Sequence, residues 1–349
     1  MVTVAQKVRR SLMIRLPLKI VVLLFLISSI DTPAAAQNEA AKNKAVQNKT
    51  AQNEAAQNKK GEVPPSKYKR RDRVVLTATS KLLVPERTVG ELRKGVVVTV
   101  LATNGPWIWV RSGSAGWLDS KYVVPLDEGV DHFTAVLAQN KNDSSSYEAR
   151  AHVYRNLGNH ARAIEDYSAA IKLQSSDAFV LKNRAYTYFL IGNHEAAAAD
   201  YTSALQLNPK DVTAWKDRGH NHYLSGDYAK ALADYDAALK LNPKHIRTLN
   251  FRAWLLATCP DSKIRNGKEA MKNARLACEL SKPTDYDFVD TLAAAYASAG
   301  YFDLAIETAR EAIKQAPEKE RPSIEQRLKR YGDKKPYLES RPAQPAQKS

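Results

Sequence analysis

Between residues 144 and 317, small and aromatic apolar positions return at a fixed interval. Ala163, Ala197 and Ala231 are 34 residues apart, as are Ala170, Ala204 and Ala238, Tyr167, Tyr201 and Tyr235, and Gly158, Gly192 and Gly226. A constant period of 34 predicts stacked helix-turn-helix units, each with a bend at its glycine. The alanines are small so that the two helices of a unit can approach, and the tyrosines fill the space between units. Pro209 and Pro243 end the second helix of their units, because proline cannot continue a helix; the first unit has Ser175 there. The units read as 144–177, 178–211 and 212–245.

The pattern then loosens and returns. Ala231 to Ala270 is 39 residues, and the excess falls in 259–267, where Pro260 stops the first helix of a fourth unit, 246–285. A fifth unit, 286–317, carries Ala293, Tyr296, Gly300, Ala305, Ala312 and Pro317. Phe133, Val136 and Leu137 mark an unpaired half-repeat before the array, which gives a region of 127–317. A polar helix over 323–331, followed by a tail to 349, would cap the open end, as a repeat array requires.

From 73 to 126 the period shortens. β-rich runs at 74–78, 81–84, 96–102, 107–111 and 116–118 are separated by Gly and Pro, which predicts a small all-β barrel. Strand alternation places Ile108 and Val110 on one face and Trp107 and Trp109 on the other. The fold class is therefore mainly α: a helix-turn-helix solenoid preceded by a small barrel.

Ahead of the barrel the pattern is that of an address. Lys7, Arg9, Arg10, Arg15 and Lys19 precede an apolar run from Ile20 to Ile30, and Ala34-Ala35-Ala36 follows. A basic region, a short apolar region and a small-residue site predict a secretory signal over 1–36, cleaved after Ala36; the alternative is an uncleaved anchor. Cleavage would place the protein in the periplasm or cell envelope, and the uncleaved alternative would anchor it at the inner membrane, with membrane contact through its amino-terminal segment. Residues 37–61 repeat every five, a period that fits neither helix nor strand, so 37–72 reads as a disordered linker.

Charge sharpens this division. Of the net +16, +9 lies in residues 1–72 and +4 in 318–349, leaving +3 for 73–317. Basic tails suit anionic surfaces, whereas a nucleic-acid-binding domain concentrates charge on a folded face, so no nucleic acid is expected. Nor is chemistry. His220 and His222 lie about 200° apart around a helix and cannot share a metal ion. Cys259 and Cys278 read as packing residues. No phosphate loop, nucleophile elbow or Cys/His set occurs, so neither catalysis nor a cofactor is expected.

Two resemblances add detail. Trp215, Gly219, Tyr223, Gly226, Ala231, Tyr235, Ala238 and Pro243 make the third unit resemble the tetratricopeptide repeat family. The resemblance implies a concave face lined by first helices and a protein or peptide partner. By position, that face would hold Lys182, Tyr186, Phe189, Lys216, His220, Tyr223, Asn250 and Trp254, together with His152 and Phe179. Glu148 stands where the opening lysine of a carboxylate clamp belongs.

Gly105-Pro-Trp107-Ile-Trp109-Val110 and Gly116-Trp117-Leu118-Asp119-Ser120-Lys121-Tyr122 resemble the bacterial SH3-like family. That resemblance implies a groove at Trp107 and Tyr122 and docking to peptidoglycan or a peptide. The other reading of the tryptophans is that they close a small core. Asp119 and Lys121 depart from the residues of a polyproline groove. The expectation is an exported adaptor without enzymatic activity; the alternatives are a wall-binding protein with the array as spacer, and a membrane-anchored scaffold.

Overall fold

The computed structural model describes residues 66–84, 87–174, 176–281 and 285–340, with the Arg87 side chain excepted. The segment 1–36 read as a secretory signal, the part of the expected linker up to residue 65 and the tail beyond 340 lie outside the described residues. The chain divides into two compact units, residues 66–93 with 98–125, and residues 94–97 with 126–340.

The first unit is built of β1 (Arg73–Leu76), β2 (Ser80–Val84), β3 (Arg87–Leu92), β4 (Val97–Thr99), β5 (Ala102–Asn104), β6 (Trp107–Ser112), β7 (Ser114–Asp119) and β8 (Val123–Pro125). They form one sheet in the order β4-β1-β8 and another in the order β3-β2-β7-β6-β5. Among the described residues, eight strands stand where the pattern predicted five. β3 has the sequence RTVGEL, too polar and too broken by Gly90 to alternate, and the run 96–102 divides into two strands. Val74, Val75, Leu76, Ile108, Val110 and Leu118 are fully buried and make the core. Residues 66–72, read as linker, are ordered for a physical reason: the Tyr68 ring is buried and its hydroxyl donates to the Val123 carbonyl at 2.8 Å.

The second unit is helical: α1 (Gly129–Gln139), α2 (Ser144–Asn156), α3 (His160–Leu173), α4 (Ala178–Leu190), α5 (His194–Leu207), α6 (Val212–Leu224), α7 (Tyr228–Leu241), α8 (Ile246–Thr258), α9 (Gly267–Leu280), α10 (Tyr286–Ser298), α11 (Phe302–Gln315) and α12 (Arg321–Gly332). It is a solenoid of helix pairs, in which each first helix packs on its second helix and on the pair before it. Ala163, Ala197 and Ala231 are fully buried, and Tyr167, Tyr201 and Tyr235 are at most 1% exposed, so the repeated positions are the core. Asp143, Asp177 and Asp211 cap the first helices, and Asn159, Asn193 and Asp227 cap the second. In each case a side-chain oxygen satisfies a backbone N–H that the helix leaves open.

The turns depend on glycine. Gly158, Gly192, Gly226 and Gly300 have φ of 81°, 74°, 81° and 86°, a left-handed conformation that costs a residue with a Cβ. No atom would obstruct a Cβ at Gly192, so the cost there is backbone strain alone. Gly192→Ala is expected to lower stability by about 1 kcal/mol, and Gly192→Asn by less, in urea unfolding. Equal midpoints for Gly, Ala and Asn would contradict this. Gly219 serves a different need: a Cβ there would meet the Tyr235 ring at 2.8 Å.

Candidate functional site

Three of the first helices each carry a pair of exposed or half-buried aromatic rings three residues apart, on one face. α4 offers Tyr186 and Phe189, α6 offers His220 and Tyr223, and α8 offers Phe251 and Trp254. Tyr186, His220 and Trp254 stand 34 residues apart, so the same face recurs in three successive units. The structure joins them into a line. Tyr186 stacks on Phe189 with ring centroids 6.0 Å apart, and Phe189 lies 5.7 Å from His220. His220 stacks on Phe251 at 4.6 Å and on Tyr223 at 6.1 Å. Trp254 Nε1 donates to the Tyr223 hydroxyl at 2.9 Å. At the near end, the Arg155 guanidinium sits 5.5 Å over the Tyr186 ring, which is 43% exposed.

Five of the eight positions expected to meet a partner therefore lie on one surface, Tyr186, Phe189, His220, Tyr223 and Trp254, while Asn250 is buried in the lining of a cavity beside it. The two lysines do different work. Lys182 Nζ pairs with Asp211 at 2.6 Å, tying α4 to the cap of α6, and Lys216 pairs with its neighbour Asp217. Both cations already have carboxylates of this chain. His152 is buried earlier in the array, its ring 5.6 Å from Tyr167 and 6.1 Å from Phe179.

The far end of the line opens into a cavity of about 320 Å³ among α6, α8, α10 and α12 and the residues that follow α12. His220, Asn250, Trp254, Asp290, Arg327 and Glu339 are among its lining. Arg327 donates to both oxygens of Asp290, at 2.7 and 3.2 Å, and its guanidinium lies 5.4 Å over the Trp254 ring. Burial, reinforced by Lys216 and His194, pushes the His220 imidazole down to about 4, so it is a flat neutral ring at physiological pH. Burial pushes the Glu339 carboxyl up to about 7. Asn250 is buried, and neither its Oδ1 nor the buried Nδ1 of half-buried His220 has a hydrogen-bond partner among the described residues. Phe251, Arg327 and Glu339 were not anticipated. Phe251 carried a signal, since it lies three residues before Trp254 on the same helix.

In the β unit, Trp107 pairs in register with Asp119, which caps the turn Ser120–Tyr122. Trp107 is half-buried and Tyr122 is 37% exposed, with Lys121 Nζ 4.8 Å over its ring. Trp109 and Trp117 form a cross-strand edge-to-face pair at 5.2 Å. Cys259 and Cys278 are free thiols.

Profiles of the tetratricopeptide repeat match residues 144–177, 178–211 and 212–245. No curated protein sequence matches the chain. Among solved structures, a tetratricopeptide repeat protein from Parabacteroides merdae is similar with a TM-score of 0.51 and 20% identity, over 60% of this chain and 81% of that one. YrrB, described as a TPR protein with an unusual peptide-binding site, is 21% identical with a TM-score of 0.45, over 54% of this chain and 94% of its own. MamA is 17% identical with a TM-score of 0.44, over 52% and 94%. The first of these shows a shared helical fold.

Proposed function

We propose that this chain, residues 144–245 of which are three tetratricopeptide repeats, is an adaptor without enzymatic activity that holds an extended segment of a protein partner against its ring-lined face. One observation carries this reading: the line of rings from Tyr186 to Trp254 crosses three units and stays partly open to solvent. Flat aromatic anchors beside an arginine suit a peptide, because they bury much area at little entropic cost.

A photo-reactive residue at position 186, in place of the exposed Tyr186, is expected to cross-link a discrete partner in envelope extracts. Phe189→Ala in the same chain should weaken that capture about tenfold or more. Adducts that are equally abundant from position 173, an exposed leucine on a second helix, would sink the reading.

We further propose that the β unit is an SH3-like module docking to the cell wall or a peptide through Trp107 and Tyr122, and that the chain is exported to the envelope. The partial exposure of both rings supports the docking, and the basic, apolar and small-residue order of the first 36 residues supports export. The full chain should pellet with purified peptidoglycan, and Trp107→Ala with Tyr122→Ala should leave it in the supernatant. Pelleting that is indifferent to both substitutions removes the groove from the account. A mature amino terminus other than Gln37 removes the cleavage site.

A further inference from the structure

The carboxy-terminal segment lies on the ring-lined face as a bound peptide would. After α12 the chain turns at Lys334, with φ of 55°, and runs on without helix or strand through residue 340. Tyr337 and Glu339 are half-buried, and Leu338 between them is 38% exposed. That alternation is the signature of an extended chain pressed against a surface. The Tyr337 ring lies 6.0 Å from Trp254 and 5.5 Å from the Arg327 guanidinium, which is itself over Trp254. The Glu339 backbone N–H donates to the Thr258 carbonyl at 2.9 Å. Its carboxylate Oε2 accepts from Trp254 Nε1 at 2.8 Å and from the Tyr223 hydroxyl.

The contact is more specific than a tail settling on a greasy surface. Indole N–H is a donor only, so two donors converging on one oxygen select a carboxyl or amide oxygen and reject a cation. The aromatic ring two residues earlier meets the same surface, held against Trp254 and Arg327. The segment also leaves part of the cavity unused. Asn250 Oδ1 is buried in the cavity lining without a hydrogen-bond partner among the described residues, an acceptor that a further peptide N–H would satisfy.

We propose that Tyr223, Trp254, Thr258 and Arg327 form a subsite for an extended aromatic-x-acid segment presented by a partner protein, and that Tyr337-Leu338-Glu339 of this chain fills it until the partner arrives. The proposal rests on the adaptor reading and names the partner's recognition element. A tethered occupant acts at an effective concentration on the order of millimolar, so it suppresses weak competitors and yields only to a segment with additional contacts, such as one to Asn250 or to the rings toward Tyr186.

The test uses the full chain and a fluorescent hexapeptide of sequence KPYLES, residues 335–340, as probe. Full chain carrying Tyr337→Ala with Glu339→Ala is expected to bind the probe about tenfold or more tightly than the wild-type chain, whose site is already filled. Trp254→Phe, added to that chain, keeps the ring, removes the donor and should lose most of the binding. A probe with lysine in place of the glutamate should not bind. Equal binding by the wild-type and doubly substituted chains, or indifference to Trp254→Phe, overturns the proposal. A partner cross-linked at position 186 with no probe binding overturns this inference and leaves the adaptor reading standing. Probe binding with no cross-linked partner upholds the subsite and removes the adaptor.

Discussion

Asp200→Ala should lower the stability of the array by about 2–3 kcal/mol, and Arg184→Met added to it should restore most of the loss. Arg184 Nε and Nη2 donate to the two Asp200 oxygens, each at 2.7 Å, and Nη1 donates to Ser168 Oγ at 2.9 Å. One guanidinium thus joins α4 to the second helix of its own unit and to the second helix of the unit before. The arrangement repeats: Arg150 binds Asp166 and Thr134, and Arg218 binds Asp234 and Thr202. Every partner is 16 residues away on either side, so the bridges form a ladder along the solenoid. The Arg184 and Asp200 side chains are 19% and 10% exposed. Removing the carboxylate leaves a guanidinium with little water and one hydroxyl, which is why breaking the pair costs more than replacing it by apolar groups. Partial hydration keeps the cost below that of a fully dry pair. Urea unfolding and amide exchange in α4 and α5 measure it, since a repeat array can open locally. A double substitution as unstable as the single one would show that the pair contributes packing and not charge compensation.

The ladder had a signature in the chain that went unread. Asp166, Asp200 and Asp234 recur with the 34-residue period, and Arg150, Arg184 and Arg218 recur with the same period 16 residues ahead of them. The helix pairs themselves were legible, because alanine, tyrosine and glycine positions with a 34-residue period leave one way to bury them. Much of the ring-lined face was legible for the same reason: Tyr186, His220 and Trp254 follow the repeat, as do Phe189 and Tyr223, whereas Phe251 does not. The carboxylate partners of Lys182 and Lys216 were not legible, because Asp211 and Asp217 belong to helix caps and neighbours whose geometry a linear pattern does not display. Least legible was the returning segment. Glu339 meets Thr258, Trp254 and Tyr223 across 81, 85 and 116 residues, and no periodicity connects a polar tail to a groove that far upstream.

Raising the pH from about 5 to about 8.5 should loosen the docked segment by roughly tenfold or more, and Glu339→Gln should flatten that dependence. Glu339 titrates near 4.5 when free, and burial pushes it up to about 7 when docked. Below the free value the carboxyl is neutral in both states, and docking is at full strength. Between the two values the released segment ionises first, which favours release progressively. Above about 7 both states are ionised and no further loss follows. The full interval would correspond to a larger factor, but a half-buried group keeps some water and the effect is discounted accordingly. Other charges face the same cavity. His220 on α6 is neutral throughout this range, because burial pushes it down to about 4. Asp287 and Asp290 on α10, and Glu320 ahead of α12, add negative charge that opposes an ionised Glu339. Arg327 offsets part of it while engaged with Asp290, whose carboxyl burial pushes up and Arg327 draws down. Trp254 fluorescence reports the docked state, because its indole N–H bonds Glu339 and its ring faces Tyr337. A Glu339→Gln chain that titrates like the wild type would assign the dependence to those surrounding acids and not to the carboxyl held between Tyr223 and Trp254.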